Sequence, residues 1–350
     1  MSLPGEITLR LCARTDLGRT RDHNEDTFLV ADLTRGTTDI LDDGRASVGP
    51  RGLVFLVADG MGGAAAGELA SAMAADAIFE HLRAAWTPSA ADSGDDFVLR
   101  IREAVESAND RIHQYASEHP DSRGMGTTAT VAGVYGGRLH LAQVGDSRAY
   151  LVRNGAAVQL TKDQSLMQRL IDAGELTEEQ AAQSERRNII LQALGPDSRI
   201  RVDVTYQDLV QGDVLILCSD GLSGQVTRDD IGRVVNAHDE VETVCERLIE
   251  LANERGGPDN ITAVVARFDG PGLPGAESAD EAGYHSYPLP EPEVEPELPE
   301  VTVPVPALQE YPDEEEAPPP VVRRTGSPVV IAAVGVLLLL ALLALFLFFA

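Results

Sequence analysis

The chain has 350 residues, 43% of them hydrophobic, enough for one large domain or two ordinary ones with a sizeable core. Its formal net charge is −28, from 56 acidic against 28 basic side chains, which argues against nucleic acid as the main partner. The three cysteines, Cys12, Cys218 and Cys245, have no metal-binding spacing and suit a reduced compartment, and no secretory signal opens the sequence.

In chain order, residues 8–14 alternate apolar and polar like a half-buried strand. Residues 34–51 are polar, with Gly, Asp and Pro, and read as a surface loop between two strands. Residues 53–58 form an apolar run expected as a buried strand. Apolar residues at helical spacing follow over 68–83 and 97–118. Residues 127–135 and 138–144 flank Gly136-Gly137, and 148–153 and 156–160 flank Asn154-Gly155, two hairpin signals. Buried strands are expected over 214–218 and 262–268, with helices over 231–236 and 241–255 between them. Consecutive hairpins imply antiparallel pairing, and four helices must cover the sheet faces.

Residues 6–269 therefore read as one globular domain. Residues 270–322 hold 13 Asp or Glu, no Lys or Arg, and 13 of the 20 prolines. Such a segment buries too little apolar surface to offset its ordering entropy and is expected as an extended, disordered linker, a spacer or a docking segment for a basic partner. Residues 328–350 are then expected as a transmembrane helix. Its last 22 residues lack charge and as a helix would span about 33 Å, against a hydrocarbon core of roughly 30 Å. Arg323 and Arg324 on its N-terminal side place the globular domain in the cytoplasm, held by a single-pass C-terminal anchor.

Six carboxylates carry the chemistry. Glu25 and Asp26 lie in Arg21-Asp22-His23-Asn24-Glu25-Asp26. Asp59 lies in Asp59-Gly60-Met61-Gly62-Gly63, Asp146 in Gly145-Asp146-Ser147-Arg148, Asp220 in Ser219-Asp220-Gly221 and Asp259 in Gly257-Pro258-Asp259-Asn260. Taken singly, each Asp also suits a turn or a helix cap. Taken together, acidic residues beside buried strands require neutralisation, and a hard cation with oxygen ligands, Mn²⁺ or Mg²⁺, supplies it. The Gly60 carbonyl is available as a further oxygen ligand. Arg21 beside such a cluster suits bidentate binding of a phosphate.

These motifs, with Thr15-Asp16, Gly18 and Gly126-Thr127-Thr128, resemble in order those of bacterial type-2C, metal-dependent protein phosphatases. The resemblance covers about residues 6 to 269, and the linker and apolar tail resemble membrane-tethered members. It implies an α+β fold: a four-layer αββα sandwich of two antiparallel sheets flanked by helix pairs. It implies that Asp59 bridges two metals, with the Gly60 carbonyl, Asp220 and Asp259 completing their shell. Glu25 and Asp26 then act largely through bound waters, Asp146 with Asp220 marks a third metal, and Arg21 binds the phosphate. The implied activity is hydrolysis of phosphoserine and phosphothreonine by a metal-activated water, with Arg21, Asp59 and Asp220 as catalytic residues. Phosphorylated cytoplasmic proteins would be the partners, and serine/threonine kinases the enzymes opposed.

The sequence departs from the family pattern at three places. Met61 stands where animal members carry a histidine, so the proton donor is unassigned. Gln164 and Ser184 replace histidines common in the flap, here residues 161–195. Two other readings stay open, a phosphoprotein-binding module without turnover and a phosphatase of small metabolites.

Overall fold

The computed structural model describes residues 5–38, 44–88, 93–184, 186–278 and 281–288. In chain order these form β1 (Thr8–Asp16), β2 (Asp26–Asp32), β3 (Arg45–Ser47), β4 (Leu53–Met61), α1 (Ala64–Ala85) and α2 (Gly94–Glu118). Next come β5 (Gly126–Thr127), β6 (Ala129–Tyr135), β7 (Arg138–Val144), β8 (Arg148–Arg153), β9 (Ala156–Gln159), α3 (Leu166–Asp172) and α4 (Glu178–Ala182). The domain closes with β10 (Asp203–Asp208), β11 (Val214–Cys218), α5 (Asp220–Ser223), α6 (Arg228–Ala237), α7 (Val241–Glu254) and β12 (Ile261–Asp269).

The strands make two sheets, one ordered β3-β1-β12-β11-β8-β9, the other β10-β7-β6-β4-β2 with β5 paired to β4. All named ladders are antiparallel. The period of two in the strands explains the layering. From β4, Leu53, Phe55 and Val57 enter the core between the sheets, while Val54, Leu56 and Ala58 pack toward α1 and α2. From β12, Val264, Ala266 and Phe268 enter that same middle core, while Ile261, Ala263 and Val265 face α6 and α7. A strand buried on both faces reads as an unbroken apolar run, which is why β4 and β11 stand out in the sequence. The result is the four-layer α+β sandwich expected from the motifs.

Local chemistry fixes the ends of the elements. Gly136 and Gly137 have φ of 60° and 80°, and Asn154 and Gly155 have 51° and 84°, the positive pair that a two-residue hairpin needs. At the start of α2, Ser93 and Asp96 form a reciprocal capping box. The apolar stripe Phe97, Ile101, Ala104, Val105, Ala108 and Ile112 of α2 is buried.

Some pieces differ from the sequence reading. The 34–51 stretch contains β3, paired to β1 through Leu9 and Ala46. The flap holds two short helices, α3 and α4. Several residues after 269, assigned by composition to the linker, lie on the domain. The Gly272 amide bonds Glu6 O at 3.0 Å and Leu273 is buried. Farther on, Tyr206 N donates to His285 O at 3.0 Å and Tyr287 N to Val204 O at 2.8 Å, so this stretch lines the open edge of β10. Leu273 and the Tyr287 ring, packed on Tyr206 and His140, supply apolar contact that the average composition conceals, and the Tyr284 hydroxyl bonds the Asp203 carboxylate. The rest of the expected linker and the expected span at 328–350 lie outside the described residues. Among the described residues no helix is long and apolar enough to cross a membrane.

Candidate metal centre and active site

Asp26 opens β2 and Asp59 lies near the end of β4, and the two are direct cross-strand partners. Opposed residues of an antiparallel pair project to the same face, so register alone sets these carboxylates side by side. Two threonines clamp Asp59. Its amide donates to Thr128 Oγ1 at 2.9 Å, and its carbonyl accepts from Thr127 Oγ1 at 2.9 Å and Thr128 N at 2.9 Å. Thr128 in turn shares a hydrogen bond of 2.8 Å with Ser147, beside Asp146 in the β7–β8 turn.

The other sheet brings Asp220 at the start of α5 and Asp259 just before β12. The Asp220 carboxyl lies beside that of Asp59, close enough for the two to feel each other's charge. Ser219 Oγ donates to Asp26 Oδ2 at 2.7 Å and accepts from Thr262 N at 3.0 Å, so one buried hydroxyl joins both sheets.

Gly60 has a steric reason. A Cβ there would stand 2.2 Å from Gly67 O and 2.6 Å from Glu25 O, both backbone atoms. The Gly60 amide also donates to Glu25 O at 3.1 Å. The close approach of α1 and the Glu25 turn thus requires glycine.

Asn260 holds the Arg21–Glu25 loop. Its Oδ1 accepts from Glu25 N at 2.9 Å, and its Nδ2 donates to Leu17 O at 3.1 Å and His23 O at 2.9 Å. The motif around Asn260 does not reveal this role, because its partners lie more than 230 positions away. Ser219 is concealed in the same way.

Burial raises the Asp26 carboxyl to about 7, opposed by the neighbouring Thr262 and Ser219 and reinforced by Asp220 and Asp259. Burial and then Asp220 and Asp163 raise Asp146 to about 8. Asp59 is pushed well up by burial and by Asp26, Asp220, Asp146 and Asp259. Asp220 moves up through burial and Asp259, and Glu25 through burial. The common theme is desolvated negative charge without enough positive charge nearby.

Arg21 Nη2 lies 2.7 Å from Asp259 Oδ2. The Arg21 side chain is 48% exposed, so the pair contributes only about 0–1 kcal/mol and yields readily to a better anion. Arg148 grips Asp163 with Nε and Nη2 and reaches Tyr150 OH at 3.1 Å, buttressing the floor beside Asp146. Arg21, Asp146, Asp220 and Asp259 open onto one cleft of about 810 Å³, walled by α3, by Arg187 and Asn188 of the flap and by the start of α6. No histidine is among the described residues lining it, and neither is Met61. His23 sits on the exposed loop next to Asn24.

Among the described residues, no three His, Cys, Asp or Glu side chains are drawn together tightly enough to hold a metal ion as they stand. The donor set nevertheless fits a hard cation. Asp26 Oδ1 and Asp146 Oδ1 are buried without a hydrogen-bond partner. Leaving carboxylate oxygens so placed costs several kcal/mol, which a divalent cation with oxygen ligands would offset.

Residues 38–264 match the family model for protein phosphatase 2C. The chain belongs to the protein phosphatase 2C family. It is 37% identical over 260 residues to the serine/threonine protein phosphatase PstP of Mycobacterium tuberculosis, covering 74% of this chain but 45% of that relative. It is 34% identical over 257 residues to the serine/threonine phosphatase stp of Listeria monocytogenes, covering 73% of this chain and 94% of that one. The crystal structure of the catalytic domain of PstP in complex with two manganese ions superposes with a TM-score of 0.62 at 35% identity, over 75% of this chain and 99% of that one. The family supports both the fold and metal dependence.

Proposed function

We propose that this chain is a metal-dependent protein phosphatase that hydrolyses phosphoserine and phosphothreonine. The observation that carries the reading is the convergence of Asp26, Asp59, Asp146, Asp220 and Asp259, from the ends of strands in both sheets, beside one cleft with Arg21 at its rim. The two manganese ions named for the PstP structure support the same chemistry.

Asp59, the Gly60 carbonyl, Asp220 and Asp259 would hold a core pair of Mn²⁺ or Mg²⁺, with Glu25 and Asp26 acting through water and Asp146 with Asp220 providing a third site. When bound, such cations lower the pKa of water toward neutrality and neutralise phosphoryl oxygens. Arg21 gives up its weak pair with Asp259 and takes two phosphoryl oxygens in a bidentate contact. Ser219 orients Asp26, and Ser147 braces Thr128 under Asp59; both hydroxyls are engaged and buried. Burial pushes the Cys218 thiol up to about 12, which removes it as a nucleophile. With no histidine among the described residues lining the cleft, the leaving seryl or threonyl oxygen takes its proton from water.

We propose further that the substrates are cytoplasmic phosphoproteins, including serine/threonine kinases and their targets, and that residues 328–350 anchor the chain to the membrane. The 22-residue uncharged run supports the anchor. Membrane fractionation of the full chain against a deletion of 326–350 tests it: the deletion should become soluble, and a soluble full chain removes the anchor. For the activity, the full chain with Mn²⁺ should hydrolyse phosphothreonine and phosphoserine peptides, and EDTA should stop it. Faster turnover of sugar phosphates would make it a metabolite phosphatase, and tight phosphopeptide binding without hydrolysis would make it a binding module.

A further inference from the structure

The flap leaves the domain after β9 and returns before β10, and one residue holds both of its arms. The Gln164 amide donates to Gly145 O at 2.8 Å, and the Gln164 carbonyl accepts from Leu191 N at 2.8 Å. Its side chain is used at both ends. Oε1 accepts from Gly145 N at 2.9 Å and from Gln192 Nε2 at 2.8 Å, and Nε2 donates to Arg201 O at 3.1 Å. Gln192 completes the ring, donating to Arg201 O at 2.7 Å and accepting from Arg201 N at 2.7 Å.

This clasp joins three things: the outgoing arm that leads to Met167, Gln168 and Ile171, the returning arm behind Arg187 and Asn188, and the turn that carries Asp146. All five of those flap residues line the cleft with Asp146. The chemistry demands an amide. Only Gln or Asn offers an oxygen with two lone pairs beside two N–H donors. A carboxylate at 164 would keep both acceptor contacts but turn an oxygen toward the Arg201 carbonyl. An imidazole offers one bond per ring nitrogen and cannot serve Gly145 and Gln192 from one atom.

Resting on the phosphatase reading above, we propose that Gln164, with Gln192, is a positioning residue that locks the flap to the Asp146 turn and so sets how the cleft receives the peptide flanking a phosphorylated side chain. Substrates large enough to touch the flap depend on the clasp; a small aryl phosphate does not.

The test uses the full chain with Mn²⁺ and the variants Gln164→Ala, Gln164→Glu and Gln192→Ala. Each is assayed on a phosphothreonine peptide and on p-nitrophenyl phosphate, and hydrogen exchange is followed over residues 186–194. Gln164→Ala should raise KM for the peptide roughly five- to tenfold, the loss of one or two net hydrogen bonds, while KM for the aryl phosphate stays within about twofold. Exchange over 186–194 should quicken in both alanine variants. The double variant should exchange no faster than the worse single one, because either substitution opens the same ring. Gln164→Glu should also raise the peptide KM, through repulsion from Arg201 O. Equal effects on both substrates, or unchanged exchange, would overturn the proposal. If Gln164→Ala fails to fold, Gln192→Ala carries the same comparison. If the wild-type chain hydrolyses neither substrate, the phosphatase reading fails while exchange still reads the clasp.

Discussion

Replacing Asn260 with alanine isolates how the metal-side loop is held. The side chain is 3% exposed and makes three hydrogen bonds, to Glu25 N, Leu17 O and His23 O. At about 1 kcal/mol each the loss is about 3 kcal/mol, reduced to about 2 because water can reach part of the loop. Leu17 and His23 sit on its exposed side, whereas the Glu25 amide lies deeper, beside Gly60. With a urea m-value of about 2 kcal/mol/M, the unfolding midpoint should drop by about 1 M. Arg21 and Glu25 lie on the released loop, so kcat/KM on a phosphothreonine peptide should fall by about tenfold or more. Asn260→Asp retains the acceptor for Glu25 N but sets a carboxylate against two carbonyls, and should lose activity at least as far. A midpoint shift below about 0.2 M with unchanged kcat/KM would refute the assigned role.

Further outcomes follow from the same geometry. Gly60→Ala drives a methyl into the backbone of Gly67 and Glu25, and should cost about 1–3 kcal/mol in thermal melts and weaken Mn²⁺ binding. Ser219→Ala unpairs Asp26 and Thr262 and should destabilise by about 2 kcal/mol, yet keep turnover within roughly a hundredfold; a loss beyond about 10⁵-fold at full Mn²⁺ occupancy would make Ser219 a nucleophile instead. His140 is fully buried, with neither ring nitrogen bonded, and burial followed by Arg138 lowers it to about 4. The unfolded chain takes up a proton near pH 6.5 that the fold refuses, so stability should fall as pH drops from about 6.5 to 4, by about 3 kcal/mol in total. In His140→Leu the part of that decline owed to residue 140 should vanish, and an unaltered pH dependence of urea midpoints would count against it.

The sequence carries the layers because the strands obey a period of two and the turns use Gly136-Gly137 and Asn154-Gly155, whose positive φ few other residue pairs accept. The site motifs were legible because glycine and aspartate cluster where backbones pass closely, as at Gly60. Asn260 and Ser219 acquire their roles from partners that the fold, not the sequence, brings near. β10 escaped because its ends are Asp203 and Asp208 and because Val204 and Thr205 are buried in succession, which breaks the alternation. The edge contacts of Tyr284 and Tyr287 escaped because a few aromatic residues vanish in the average of a Pro-rich acidic segment. Gln164 looked like a departure from a family pattern, and only the distances reveal that its amide joins two arms of the flap to the Asp146 turn.

The central claim is that carboxylates delivered by separate strands form one divalent-cation centre. Calorimetric titration of the metal-free full chain with Mn²⁺, beside an Asp59→Asn variant of matched thermal stability, tests it most directly. The account predicts at least two ions bound by the wild-type chain, with the tightest binding lost on Asp59→Asn. Equal Mn²⁺ binding by the two proteins, or none by either, would contradict it.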